Sequence, residues 1–424
     1  MSDRAYGGYS NLAKGDGYAD AYAYKPVSTG AGETGAQPIG GEVGYAPQGQ
    51  MVEPQAGGCG RECRGIMSIM CNWLNILLIF VPLGICSKHL GWPSVAIFSL
   101  NFVAIVPLAG ILGAATESLA CHTGQMVGGL LNATFGNAVE MIVTISAIQA
   151  GLVSVVQGSL LGSILSNLLL VLGMAFFAAG IREKESRFSA VGASANMNCL
   201  TLGSIALALP TIYQAIPDVP EDGCLLISRI SSVVIAIVYV QFLVFQLCTH
   251  ADMFGGEGEE EEAPLSLFTS TVVLLSATCC VAVCSEYLVG SIEQVSEEYG
   301  LPKAFIGVIL LPIVGNAAEH ATAVTVAAKG KMDLALGVAI GSSTQIVLFV
   351  VPFAVMTGWY FDQPMSLDFR VFDCAVLTLS VFLASSVLHD GSSNWLEGSM
   401  LVATYILIAI ICWYIPDDGR DVKA

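Results

Sequence analysis

The chain has 424 residues, 54% of them hydrophobic and 12% charged, with mean hydropathy +0.71 and formal net charge −18. Soluble domains carry about 25% charge, so most of this chain belongs in lipid, and its acidic balance excludes a nucleic-acid partner, which needs a basic face. The 13 cysteines lie mostly inside apolar runs such as CCVAVC (279–284), where they behave as small hydrophobes rather than a disulfide framework.

Residues 1–65 are rich in Gly, Ala, Tyr, Ser and Pro without a lasting apolar period, which predicts a disordered cytosolic tail with no signal-peptide core. Cys59 and Cys63, in GGCGREC, read as free cytosolic thiols, with palmitoylation as the sharper alternative. Apolar runs of spanning length then recur at 70–88, 94–117, 129–150, 153–179, 190–213, 225–248, 265–289, 303–328, 333–358, 371–388 and 396–415. They are too long and continuous for barrel strands, so the fold class is an all-α integral membrane protein with eleven transmembrane helices.

The expected organisation is a first transmembrane helix in 66–92, a five-helix repeat in 93–249, an acidic cytosolic linker in 250–264, a second five-helix repeat in 265–415 and a C-terminal tail in 416–424. Ten basic residues fall on the side of the N-terminus, including the REKESR cluster (182–187), against six on the other, which places the N-terminus in the cytosol. The linker carries Glu257, Glu259, Glu260, Glu261 and Glu262. This run reads as a solvated connection, with a cation-concentrating or sensing segment as the alternative.

GNAVE at 136–140 recurs as GNAAE at 315–319, an offset of 179 (319 − 140) that also aligns Gly151 with Gly330, Gly158 with Gly337, Gly162 with Gly341 and Ser163 with Ser342. Because each repeat has an odd number of spans, the second copy runs inverted, the architecture of alternating-access transporters whose sites lie at the repeat interface.

A carboxylate near the centre of a spanning helix costs about 2.5 to 3.5 kcal/mol, so Glu140 and Glu319 need a reason to be there. Asn137 and Asn316, three residues earlier, are expected on the same helix face as their glutamates. Gly136 and Gly315 admit a close neighbour or an ion, and Pro312 frees the carbonyl of Val308. The following helices add Ser163, Ser166, Asn167, Ser342, Ser343 and Gln345. Two carboxylates among amide, hydroxyl and carbonyl oxygens suit a hard cation, Ca2+ or Mn2+, rather than Zn2+ or Cu+. Desolvation and mutual repulsion favour protons on the pair when no cation is bound, so H+ and M2+ compete for one site.

Glu117 and Glu286 are expected as vestibule residues at opposite membrane faces, with a solvated helix end as the plain alternative. His320 is a candidate proton relay or a packed neutral side chain, and Gln157 is a weak candidate on the same path.

GLLNATFGNAVEMIVTISA (129–147) and GVILLPIVGNAAEHATAVTVAAKGKMDLALGVAIGSSTQI (307–346), with ATESLA, SEYLVGSIE and the acidic linker, resemble the Ca2+/H+ exchangers, the cation/proton exchanger family of the Ca2+/cation antiporters. The resemblance covers nearly everything after residue 66. It implies a one-plus-five-plus-five layout, a vacuolar or other acidic organelle membrane, and export of cytosolic Ca2+ in exchange for lumenal H+. It also implies Glu140 and Glu319 as the central carboxylates, supported by the neighbouring Asn, Ser and Gln. Sodium-coupled relatives typically carry a Ser or Thr cluster where this chain has GN, which favours H+. No cofactor is expected; the partners are the bilayer, the transported ions and room for a homo-oligomer. A passive divalent-cation channel is the alternative function.

Overall fold

In lipid a backbone must satisfy its own hydrogen bonds, and the apolar runs do so as helices. The computed structural model describes residues 58–251 and 263–416; the five linker glutamates, most of the expected N-terminal tail and nearly all of the C-terminal one lie outside the described residues.

In chain order the first half holds α1 (Gly58–Met70), a 3-10 turn (Trp73–Ile79) and α2 (Phe80–His89) ahead of the first repeat, then α3 (Ser94–Ala120), α4 (Gln125–Phe135) and α5 (Ala138–Gln149). It continues with α6 (Val153–Leu165), a π turn (Ser166–Val171), α7 (Leu172–Gly180), α8 (Ala190–Gln214) and α9 (Glu221–Val244). The second holds α10 (Leu267–Val289), α11 (Ile292–Tyr299), α12 (Lys303–Phe305), a π turn (Ile306–Leu310), α13 (Leu311–Gly315) and α14 (Ala317–Ala328). It ends with α15 (Met332–Gln345), a π turn (Ile346–Val350), α16 (Val351–Tyr360), α17 (Val371–Leu388) and α18 (Trp395–Tyr414).

Eight of these helices, or helix runs, are long and apolar enough to cross a membrane, and three bent pairs raise the number to as many as eleven if each pair is one span. The pairs are Arg64–Met70 with Trp73–His89 (81°), Met126–Phe135 with Ala138–Gln149 (43°) and Lys303–Gly315 with Ala317–Ala328 (57°). Two expectations change here. The tail expected to reach residue 65 gives way to helix at Gly58, and the spans expected at 129–150 and 303–328 are broken at their GN dipeptides. The breaks have a local contribution from glycine, which is about 1 kcal/mol poorer than Ala inside a helix. Asn137 (φ −105°, ψ 19°) and Asn316 (φ −90°, ψ 12°) occupy the N-cap positions without a side-chain cap hydrogen bond, which puts each Glu in the first turn of a new helix.

The breaks, the π turns at Ser166–Val171 and Ile346–Val350, and the left-handed glycines Gly151 (φ 73°) and Gly330 (φ 79°) all recur about 179 residues apart. The runs Val153–Gly180 and Met332–Tyr360 are the most enclosed, 83% and 61% buried over their apolar windows, so they form the middle of the bundle.

Loop contacts gather at two ends. At one, Glu62 Oε1 accepts from Ser266 N (3.1 Å), His122 Nε2 meets Leu265 O (2.8 Å), Arg182 donates to Ala328 O (2.7 Å), Ser189 N donates to Asp333 Oδ1 (2.7 Å), and Ser186 pairs with Ser393 in a two-residue β ladder. At the other, Ser94 Oγ donates to Glu298 (2.9 Å), Lys88 lies 4.4 Å from the Tyr287 ring centroid, and Phe369 N donates to Thr211 Oγ1 (2.9 Å). An alternation of eleven spans sorts these loops into the same two sets.

Candidate functional site

The two broken helices meet α6 and α15 near the centre of the chain's core. Glu140 occupies the first turn of α5, and its carboxylate lies against Gly315 of the other repeat: a Cβ added there would sit 2.9 Å from Glu140 Oε1. Gly162 of α6 meets the carbonyl of Val308 in the π turn before Pro312; an added Cβ would stand 2.1 Å from that oxygen and 2.6 Å from Pro312 Cγ. The Val308 carbonyl thus faces a glycine of the opposite repeat.

Hydrogen bonds, three of them across the repeats, hold the surrounding amides. Asn137 Nδ2 donates to Ala133 O (2.9 Å) and to Gln345 Oε1 (2.7 Å), Asn167 Nδ2 donates to Ser342 Oγ (2.9 Å), and Asn316 Nδ2 reaches Ser163 O (3.5 Å). These bonds use the amide nitrogens and leave oxygens over. Glu140 Oε2, Glu319 Oε2, Asn316 Oδ1 and Asn167 Oδ1 are all buried with no hydrogen-bond partner. Orphaned buried acceptors are costly, at about 1 to 3 kcal/mol each, so the carboxylate oxygens ask for a proton or a cation and the amide oxygens for a donor or a cation.

Access to the two glutamates differs. Glu319 lines a cavity of about 490 Å³, together with Glu117, Asn132, Gly136, Asn137, Thr322, Gly337, Ser342 and Gln345. Asn72, Leu74 and Leu334 place its mouth at the end expected to face the cytosol. Glu140 lines a separate space of about 20 Å³, room for about one water, walled by Ile105, Val143, Ser159, Leu160, Ser163, Leu288 and Leu311. Gly315 borders both.

The structure therefore brings together Glu140, Glu319, Asn137, Asn316, Gly136, Gly315, Ser163, Asn167, Ser342 and Gln345, while treating the remaining candidates differently. Ser343 is buried but donates to Ala339 O of its own helix (3.0 Å). Glu117 is exposed on the wall of the cavity, whereas Glu286 is exposed and lines neither space. His320 bonds through Nδ1 to Asn316 O and through Nε2 to Ser166 Oγ (3.3 Å), which links it to the site's backbone. Gln157 lines neither space; its amide donates to Ser366 O (2.9 Å) and Asp368 O (3.2 Å), tying down a loop.

Asn132 and Thr322 on the cavity wall went unread in the sequence, as did the buried, unpartnered hydroxyl of Thr144 one turn past Glu140. Their only signal was a polar residue inside an apolar run. Among the described residues no three His, Cys, Asp or Glu side chains cluster to hold a metal ion, so any cation here takes neutral oxygens besides the two carboxylates.

A family model described as sodium/calcium exchanger protein matches residues 93–248 and 269–414. A vacuolar calcium ion transporter of Schizosaccharomyces pombe is 44% identical over 355 residues, covering 82% of this chain and 86% of the relative. A Ca2+/H+ antiporter of Synechocystis is 44% identical over 369 residues, covering 82% and 99%. Among solved structures, native YfkE superposes with a TM-score of 0.72 at 37% identity, covering 81% of this chain and all of that one. These matches bear out the resemblance read from the GN motifs.

Proposed function

The chain belongs to the sodium/calcium exchanger protein family, and we propose that it is a secondary antiporter exchanging cytosolic Ca2+ for lumenal H+ by alternating access. The membrane is that of a vacuole or another acidic organelle, the N-terminus is cytosolic, and Mn2+ is a second cation of the same class.

One observation carries the reading: Glu140 Oε2, Glu319 Oε2 and Asn316 Oδ1 on the two broken helices, and Asn167 Oδ1 on the π turn after α6, are buried and unpartnered. Hard divalent cations take such oxygens, and so do protons. A pair of dehydrated carboxylates is too costly to hold bare, so it carries either protons or a cation. Ca2+ entering past Glu117 displaces protons from Glu140 and Glu319. Once the site faces the lumen, protons there displace Ca2+. The bare, charged pair does not reorient, and this restriction couples the two fluxes. Asn137 and Gln345 brace the crossing, while Asn316 and Asn167 offer their oxygens to the cation.

A passive channel is less well supported, because the space behind Glu140 is only about 20 Å³ and is walled by Ile105, Leu160, Leu288 and Leu311. Sealed vesicles with an acid interior separate the two. Exchange predicts Ca2+ uptake that collapses when a protonophore dissipates the gradient; uptake indifferent to the gradient belongs to a channel.

A further inference from the structure

The two repeats carry the same glycines, but these glycines do different things. On α6, Gly158 and Gly162 are pressed against the broken helix of the second repeat: a Cβ at Gly158 would lie 3.3 Å from Gly307 Cα, and one at Gly162 would lie 2.1 Å from Val308 O. Their counterparts 179 residues later, Gly337 and Gly341 on α15, have nothing within 4 Å of an added Cβ. Gly337, Leu334, Val338 and Ser342 of α15 form one wall of the large cavity, and Asn132 and Gly136 at the end of α4 form part of the other. One glycine seam is shut and its counterpart stands open.

Subtracting 179 from Gly307, Val308 and Pro312 gives Gly128, Gly129 and Ala133, all small residues on α4. The shut seam is therefore Gly158 on Gly307 and Gly162 on Val308; on the counterpart side Gly337 and Gly341 stand open, while Gly128 and Gly129 are packed on Ala120 O (2.8 Å from an added Cβ) and Leu247 Cδ2 (2.7 Å) and must leave those contacts to close onto α15. Small residues on both helices are what allow backbones in a bilayer to touch.

We propose that Gly337 and Gly341 are positioning residues for transport: they close onto Gly128, Gly129 and Ala133 to seal the cavity when the site turns to the other face, as Gly158 and Gly162 release Gly307 and Val308. This rests on the exchange reading above. It identifies the contact that must form in each cycle and explains the otherwise idle pair of glycines in α15.

The counterpart distances also fix an order of sensitivity. Gly341 inherits the 2.1 Å approach of Gly162, and Gly337 the looser 3.3 Å approach of Gly158. An alanine at 341 should thus obstruct closure, while an alanine at 337 needs only slight adjustment.

The test uses the full chain purified in detergent for Ca2+ titration and sealed vesicles for pH-driven uptake. Gly341→Leu is expected to fold and to bind Ca2+ within about threefold of the unaltered protein, since the space around residue 341 is open, yet to show no uptake above protein-free vesicles. Gly341→Ala should slow uptake about tenfold or more, and Gly337→Ala about threefold or less. Normal uptake by Gly341→Leu or Gly341→Ala overturns the proposal, as does a larger effect at 337 than at 341. If Gly341→Leu does not fold, the two alanine variants decide by the same order. If the unaltered protein shows no gradient-driven uptake, it is the exchange reading that fails instead.

Discussion

Replacing Gly315 with Ala puts a methyl group 2.9 Å from Glu140 Oε1. Comfortable contact begins near about 3.5 Å, so the carboxylate must withdraw by roughly 0.6 Å. That is beyond the tolerance of about 0.5 Å within which a binding constellation stays productive. Disturbing the groups that orient a metal ligand typically weakens affinity about 10- to 100-fold. The KM for Ca2+ should therefore rise roughly tenfold, about 1.4 kcal/mol. The fold should survive, because the atom that gives way is the tip of a flexible side chain.

Gly162→Ala makes the useful contrast. Its methyl would meet Val308 O at 2.1 Å and Pro312 Cγ at 2.6 Å, neither of which moves without moving the helix. Overpacking of this kind costs about 1 to 3 kcal/mol or more, and it should appear as a lowered Tm and poor yield rather than as a shifted KM. Initial rates of pH-driven uptake over a range of Ca2+, with thermal unfolding in detergent, read both quantities. A Gly315→Ala protein with an unchanged KM, or one that loses Tm instead, refutes the placement of Glu140 as a ligand.

Acidifying the cytosolic face should raise the KM for Ca2+ and leave the maximal rate alone, because protons there compete for the same carboxylates; a KM independent of that pH contradicts shared occupancy. Asn137→Ala removes the donor 2.7 Å from Gln345 Oε1 and should cost about 1 to 3 kcal/mol, measured as a fall in Tm. Gln157→Leu, which orphans the carbonyls of Ser366 and Asp368, should likewise lower Tm without altering the KM. A shifted KM at normal Tm would return Gln157 to the proton path.

The spans, the repeat offset and the two glutamates were legible because each has a period or a cost. Twenty apolar residues announce a helix in lipid, and a buried acid in register within two copies of GNAxE stands out against any packing background. The breaks at GN were less legible. Asn137 and Glu140 are three apart, which suggests one continuous face, yet the helix stops at Gly-Asn and restarts with Asn137 in the N-cap position, its side chain bonded to Ala133 and Gln345 rather than capping. The π turns had only Pro312 and Pro352 as hints, and each proline follows one closely. The unequal surroundings of Gly162 and Gly341 had no signature at all, since the two positions are identical residues in matching frames. That difference belongs to the conformation the chain adopts, not to its letters.

The central claim is that Glu140 and Glu319 alternate between protons and one shared cation. Its most direct test is the number of protons released when Ca2+ is titrated into the purified protein in weak buffer, for the unaltered chain and for Glu140→Gln and Glu319→Gln. The account predicts roughly one to two protons per Ca2+ bound by the unaltered chain, and Ca2+ binding at least about 100-fold weaker in either variant, with fewer protons released per Ca2+ than in the unaltered chain. Ca2+ binding without proton release in the unaltered chain, or full release in either variant, contradicts it.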